Sequence, residues 1–215
     1  MQITDSYELF IKLKQKKLLD NSPRYWWPNS HSFEVVIGAI LTQNTKWENV
    51  VKSLDNLKSN LLLLENNNQS LQNFATADIG LIASCIVASG FYNQKSKRLL
   101  QLAQNILQDF GDFDTFVGEV SREWLLNQKG IGFESADSIL NYACNRDVMV
   151  VDKYTQKLVA SIGFEFEHYE DLREWCECGI RENIQKLSYE YEDLSMVFAR
   201  FHGKIVEFSK RKMQL

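Results

Sequence analysis

The chain has 215 residues, with 24 Lys plus Arg against 28 Asp plus Glu and a net charge of −4. That balance excludes a protein that is basic all over but leaves room for a local basic patch. Apolar residues at 45% and charged residues at 24% are an ordinary globular mixture, enough for one large domain or two small ones. Ten glycines and two prolines disfavour a turn-rich sandwich or barrel and point to helices.

The N-terminal stretch MQITDSYELFIKLKQ is amphipathic and lacks the apolar run of a secretory signal. Pro23 and Pro28 interrupt the chain after it. Phe33, Val36, Ile37, Ile40 and Leu41 then form one helical stripe, with Ser30 and Ser32 as candidate caps. Trp47, Val50, Val51 and Leu54 repeat the pattern. A polar loop follows at residues 65–69. Gly90 reads as a C-cap, and Asn93 as the cap of a helix striped by Leu99, Leu102, Ala103, Ile106, Leu107 and Phe110, which Gly111 closes. One helix is predicted to end near Lys129 and another to start near Phe133, with Ala136, Ile139, Leu140 and Ala143 on its apolar face. Val148 to Val151 is too short for a helix and reads as a buried extended linker. Leu194, Phe198, Phe201, Ile205 and Phe208 mark the last helix. The pattern predicts an all-α fold of roughly ten helices. No apolar run approaches the length of a membrane span.

Cys85, Cys144, Cys176 and Cys178 are scattered, and only the last two are close. One intervening residue is too short for the usual zinc pair, so no metal site is predicted and the cysteines read as small buried hydrophobes. The expectation is a soluble, reduced, cytoplasmic protein.

The chemistry is concentrated between Trp124 and Val159. Gly130-Ile131-Gly132 makes a tight turn between two helices. Two glycines permit positive φ and close approach, and Ile131 can plug into the core. Amides at the start of the following helix would then point outward as an anion site suited to a phosphate. A plain αα-hairpin turn with a helix cap fits the same glycines. Asp152 follows the apolar run, lies 22 positions after Gly130 and precedes a helical segment. It suits a carboxylate presented to a ligand, and equally an N-cap.

Gly-x-Gly followed by Val-Asp at this separation resembles the helix-hairpin-helix DNA glycosylases of the endonuclease III superfamily. Leu41-Thr42-Gln43-Asn44-Thr45 and Gly90-Phe91-Tyr92-Asn93-Gln94-Lys95 are similar to two further signatures of that family, in the same order. Trp26-Trp27-Pro28 and the stretch from Phe201 to Phe208 resemble the cluster-free 3-methyladenine branch. The resemblance implies that Gly130, Ile131 and Gly132 hold a DNA phosphate, that Asp152 is the catalytic carboxylate, and that Gln43 fills the gap left by a flipped base. Bifunctional members carry a lysine where this chain has Glu134, and a carboxylate cannot form a Schiff base. Lys129 and Lys153 are nearby amines. Many members end in a four-cysteine loop, whereas no cysteine follows Cys178, so no iron–sulfur cluster and no other cofactor is expected.

N3- and N7-methylated purines carry positive charge and leave easily, and aromatic walls favour them through stacking and cation–π attraction. Trp26, Pro28 and Trp47 are the candidate walls of a base pocket. Trp47 stands four residues after Gln43, which on a continuous helix would put both on one side. Trp124 and Trp175 read as core. Lys204 lies at the edge of an apolar stripe; it either snorkels or, if buried, is paired, neutral or modified. Lys210 is assigned to the pocket mouth by resemblance, or else belongs to a solvated basic tail with Arg211 and Lys212. Lys95, Lys97, Arg98, Lys129 and Lys153 are candidates for a DNA-facing basic side.

Two helical subdomains with a cleft between them are expected: residues 30–132 as a central bundle, and residues 1–29 with 133–215 as the second, carrying Asp152. The expected function is monofunctional excision of alkylated purines, chiefly 3-methyladenine, from duplex DNA by a monomer with no membrane contact. Specificity for mismatched or other damaged bases, a bifunctional lyase, and a non-catalytic DNA-binding hairpin are the alternatives.

Overall fold

Short polar side chains, mostly aspartates, set more than half of the helix starts. Asp5, Asn66, Asp78, Asp112, Ser121, Asp152 and Asp193 each accept a hydrogen bond from a backbone N–H three residues on. Each satisfies a donor that the first helical turn would otherwise leave unpaired. The computed structural model describes residues 3–215, and all regular secondary structure among them is helical.

In chain order the helices are α1 (Ser6–Gln15), α2 (Phe33–Leu41), α3 (Trp47–Ser59), α4 (Asn67–Thr76), α5 (Ile79–Cys85), α6 (Tyr92–Phe110), α7 (Phe113–Glu119), α8 (Arg122–Leu126), α9 (Phe133–Ser138), α10 (Lys153–Ser161), α11 (Tyr169–Glu182), α12 (Ile184–Leu187) and α13 (Leu194–Lys210). A 3₁₀ turn at Val87–Ser89 precedes α6, and a π-turn at Ile139–Ala143 continues α9. Among the described residues the chain forms more helices than periodicity predicts. The additional ones, such as α5, α8 and α12, span two turns or less and show too little sequence for a stripe.

The chain divides into two units, His31–Ile139 and the segment up to Ser30 together with Leu140–Leu215. In the first, α2 (FEVVIGAIL) is buried at every position except Glu34 and is therefore a central helix. Phe33 meets Phe74 of α4 and Phe113 of α7 edge-on, and α4 lies along α6. In the second unit α13 is central, packed by α1 and α10. Phe10 of α1 meets Phe201 edge-on at 5.4 Å. The stretch Val148 to Val151 is extended and buried.

Several local readings change. Helix α6 starts at Tyr92, and its N-cap position is Phe91 with φ +47°, not Asn93. Ser32 occupies the N-cap position of α2 but its side chain does not cap the helix, while Ser30 donates to the Trp27 carbonyl. Helix α8 stops at Leu126, ahead of the Lys129 expected from its pattern. Cys178 is exposed, unlike the other three cysteines.

Candidate active site

Asp152 ends the extended apolar stretch and begins α10. Its Oδ1 accepts from the Thr155 amide at 2.8 Å and from the Thr155 hydroxyl at 2.9 Å. Its Oδ2 faces His202 Nε2 at 3.5 Å. The side chain is 13% exposed, so the carboxylate is sheltered but not sealed. Burial pushes its pKa up. The contacts from His202 and Thr155 outweigh that push and hold the carboxyl below its ordinary value. The group is therefore an anion at neutral pH inside a low-dielectric wall.

His202 lies on α13. Its Nδ1 is 2.7 Å from the Tyr142 hydroxyl, which is 3.3 Å from the Ala199 carbonyl. The Trp26 ring meets the His202 ring edge-on at 5.2 Å, and Trp27 lies 5.1 Å from Tyr142. Trp26 holds φ +67°, and the Trp27 amide bonds back to the Tyr25 carbonyl across it. That is the strained form of γ-turn, uncommon for a bulky residue. The turn lays the indole over Gly203, where a Cβ would stand 2.7 Å from Trp26 Cδ2. Pro28 follows, exposed.

The other unit carries the hairpin. Gly130 takes φ +85°, while Gly132 is extended at φ −101°, so only the first needs glycine for its backbone angle. A Cβ at Gly130 would stand 2.7 Å from Arg98 Cζ, whereas one at Gly132 would meet nothing within 4 Å. Gly132 thus leaves open space before α9, whose first turn has no side-chain cap. Ile131 is buried between them. Asp137 of α9 is completely buried and binds Arg122 of α8 through both oxygens, at 2.6 and 3.1 Å. Gln43 reaches the hairpin: its Nε2 donates to the Gly130 carbonyl at 2.9 Å and to Ser135 Oγ at 3.0 Å. Its Oε1 accepts from Arg98 at 3.4 Å.

Two assignments, the Gln43–Trp47 pairing and the exposure of Lys95, fall elsewhere than expected. Gln43 and Trp47 do not share a helix: α2 ends at Leu41, Asn44 takes φ +55°, and Trp47 opens α3. A left-handed residue between them breaks the i, i+4 relation. Lys95 is not on a DNA-facing side. It is buried, and its ammonium donates to the Leu41 and Ser89 carbonyls at 2.9 Å each. Lys210 is the exposed last residue of α13, eight positions beyond His202, about 12 Å of helix rise. Lys204 is 4% exposed, with its Nζ 5.0 Å from the centre of Phe10 and 5.9 Å from that of Tyr191. Burial lowers its pKa to about 7.

Sequence reasoning gave no role to His202, Tyr142, Thr155 or Gly203. They lie on α13, on the π-turn after α9 and within α10, and no spacing rule joins them. Phe91 is 65% exposed in left-handed backbone, a conspicuous apolar side chain that the motif alone did not single out. Among the described residues no group of His, Cys, Asp and Glu could hold a metal ion, and no helix is long and apolar enough to cross a membrane.

An all-α chain with a Gly-x-Gly turn between helices and an ionised aspartate opening a later helix defines the helix-hairpin-helix class of DNA repair enzymes. Residues 37–188 match the HhH-GPD superfamily base excision DNA repair protein family, and the chain belongs to it as a DNA glycosylase. The crystal structure of the Helicobacter pylori 3-methyladenine DNA glycosylase MagIII, bound to 1,N6-ethenoadenine, is similar throughout. It shares 50% identity over 99% of this chain and 100% of that one, with a TM-score of 0.96. MJ1434 of Methanocaldococcus jannaschii, provisionally named a DNA repair glycosylase, is 34% identical across 96% of this chain and 90% of its own. Endonuclease III of Thermotoga maritima is 25% identical over 86% of this chain and 78% of its own.

Proposed function

We propose that this chain is a monofunctional DNA glycosylase that excises alkylated purines, chiefly 3-methyladenine, from duplex DNA. The observation that carries this reading is Asp152, held ionised and 13% exposed at the start of α10 beside the Trp26 indole site. A base in a duplex must leave the stack before its glycosidic bond can be reached. Cleavage then builds positive charge on the sugar. A preorganised carboxylate stabilises that charge and can orient water. A methylated purine is already cationic and needs little proton donation to leave. An aromatic face is the element its recognition needs. The strained turn at Trp26 and its close seat over Gly203, which has no Cβ, support that use of the indole. Pro28 and Trp47 are proposed as further walls, and Lys210 as a residue at the pocket mouth. MagIII, similar over nearly all of this chain, was crystallised with an adenine-derived base, which supports an adenine lesion here.

The hairpin Gly130-Ile131-Gly132 is proposed to take a DNA phosphate at the uncapped start of α9, and Gln43 to fill the gap left by the base. Glu134 at the position where bifunctional members have lysine supports base release without strand cleavage. The cysteines support a cluster-free enzyme: three are buried and the fourth is alone on the surface of α11. Action as a monomer on duplex DNA inside the cell follows from the same reading.

The test is release of methylated bases from alkylated duplex DNA by the wild type and Asp152→Asn. The variant is expected to lose about 100-fold or more of the rate, the scale of removing one preorganised electrostatic contact. It should keep its DNA affinity, and borohydride should trap no adduct with the wild type. Equal release by both proteins would overturn the reading in favour of a DNA-binding hairpin module. Release from mismatched but not methylated duplexes would move the substrate.

A further inference from the structure

The Asp152 carboxylate is pinned from two sides, and only one side is explained by helix capping. Thr155 occupies Oδ1. Oδ2 is left to His202 Nε2, which is buried and has no hydrogen-bond partner of its own within normal distance. The 3.5 Å separation is that of an ion pair and longer than a formed hydrogen bond. Catalytic hydrogen bonds in free enzymes are often long and tighten only when substrate arrives.

The imidazole can serve Oδ2 only if its proton is on Nε2, and the other ring nitrogen decides that. Nδ1 sits 2.7 Å from the Tyr142 hydroxyl, the shorter of that hydroxyl's two contacts. Tyr142 is fully buried, and burial together with the nearby Asp152 charge keeps its hydroxyl protonated. The hydroxyl has a single proton; spent on Nδ1 at 2.7 Å, in preference to the Ala199 carbonyl at 3.3 Å, it leaves the ring proton on Nε2. We propose that Tyr142 and His202 form a fixed hydrogen-bond chain that aims an Nε2–H at Asp152 Oδ2, making His202 a positioning residue for the catalytic carboxylate. This rests on the reading of Asp152 given above.

The arrangement is built from independent elements. Tyr142 comes from the π-turn after α9, His202 from α13 and Asp152 from α10. Trp26 closes over the imidazole edge at 5.2 Å and excludes water from it. The titratable groups facing Asp152 are His202, Tyr142 and, from α11, Cys176, whose thiol is held neutral by burial and by neighbouring negative charge. With the Tyr142 proton directed to Nδ1, His202 is the one of these that can donate to the carboxylate. Loss of its donor leaves burial to act on the carboxyl unopposed except by Thr155, so the carboxyl's pKa must rise.

The experiment compares wild type, Tyr142→Phe, His202→Leu and His202→Gln. It follows the Asp152 carboxyl carbon by NMR from pH 3 to pH 7. It also measures single-turnover base release from methylated duplex DNA between pH 5 and pH 8, with the uncatalysed rate subtracted. Tyr142→Phe and His202→Leu should raise the carboxyl midpoint by about one pH unit or more. Their release rate at pH 5 relative to pH 7.5 should fall about threefold or more against wild type. His202→Gln keeps an amide donor near the Nε2 position and should return the midpoint most of the way. A merely structural role for His202 would lower the melting temperature and the plateau rate without moving the midpoint. An unmoved midpoint in Tyr142→Phe and His202→Leu overturns the proposal, as does a Gln variant no nearer wild type than Leu. If His202→Leu fails to fold, Tyr142→Phe decides alone, because it keeps the ring packed against Trp26 and Trp27. The two readings separate cleanly: an active Asp152→Asn removes the catalytic role, whereas the NMR midpoints judge the hydrogen-bond chain whatever Asp152 does.

Discussion

Gly203→Ala isolates the contribution of the Trp26 turn. The added Cβ would stand 2.9 Å from Trp26 Cβ, 2.7 Å from Cδ2 and closer still to Cγ. Ordinary contact begins at 3.4 Å, so the indole must retreat by about 0.7 Å at Cδ2 alone. Retreat is resisted, because Trp26 is fixed by a positive-φ turn and by the His202 and Tyr142 rings. Overpacking of this kind costs about 1–3 kcal/mol. At about 2–4 °C per kcal/mol for a chain of this size, the melting temperature should fall by about 2–12 °C. Base release should suffer more. Misplacing a contact near the reacting centre by about 1 Å costs up to roughly 100-fold, so a loss of ten- to 100-fold is expected in single-turnover release from methylated DNA. Gly118→Ala is the control, since a Cβ there meets nothing within 4 Å. In a Trp26→Ala background the Gly203→Ala penalty should shrink, because the clashes with Cγ and Cδ2 are gone and only the 2.9 Å approach to the residue 26 Cβ remains. A Gly203→Ala protein with wild-type melting and wild-type release would refute the claim that the indole must lie over Gly203 for the enzyme to act.

Lys204→Met should make stability less dependent on pH. The Lys204 pKa is lowered to about 7 in the folded chain, against 10.5 for an ordinary lysine. Below pH 7 the ammonium is charged in both states and the fold bears its desolvation. Between the two values the unfolded chain binds the extra proton, so wild-type stability rises with pH. Relative to the methionine variant, wild type should therefore gain about 2–3 kcal/mol between pH 6 and pH 9, read from urea midpoints at the two pH values. An identical difference at both would show that Lys204 keeps an ordinary pKa. Asp137→Asn should cost about 3–5 kcal/mol, because it leaves the Arg122 guanidinium against a neutral, fully buried partner. It should also weaken DNA binding by loosening α9 behind the hairpin. Unchanged urea midpoints would remove the ion pair from the account of hairpin stability.

Much of the local structure was legible in the sequence because it depends on neighbours along the chain. The scarcity of glycine and proline and the 3.6-residue stripes together specify a helical chain. The residues Gly130 to Gly132 specify a turn by what glycine permits and by where Ile131 must go. By position alone Asp152 reads as a helix N-cap; its catalytic role came from the resemblance carried by its separation from the glycine turn.

Tertiary structure decided the rest. Lys95 read as one more surface cation, yet it is buried because two backbone carbonyls, at Leu41 and Ser89, converge on its ammonium. Trp47 read as a neighbour of Gln43 until Asn44 broke the helix between them. The surroundings of Asp152 were invisible for a related reason. His202 is 50 positions away, and Tyr142 lies on a π-turn that no stripe announces. Periodicity reports which face of a helix is buried, but not which other helix covers it. The sequence alone thus determined the helical chain, its glycine turn and the carboxylate that opens α10. The packing of α13 decided the rest of that carboxylate's charge state, because the largest contact opposing burial comes from His202, a long-range neighbour, with the local Thr155 bonds adding to it.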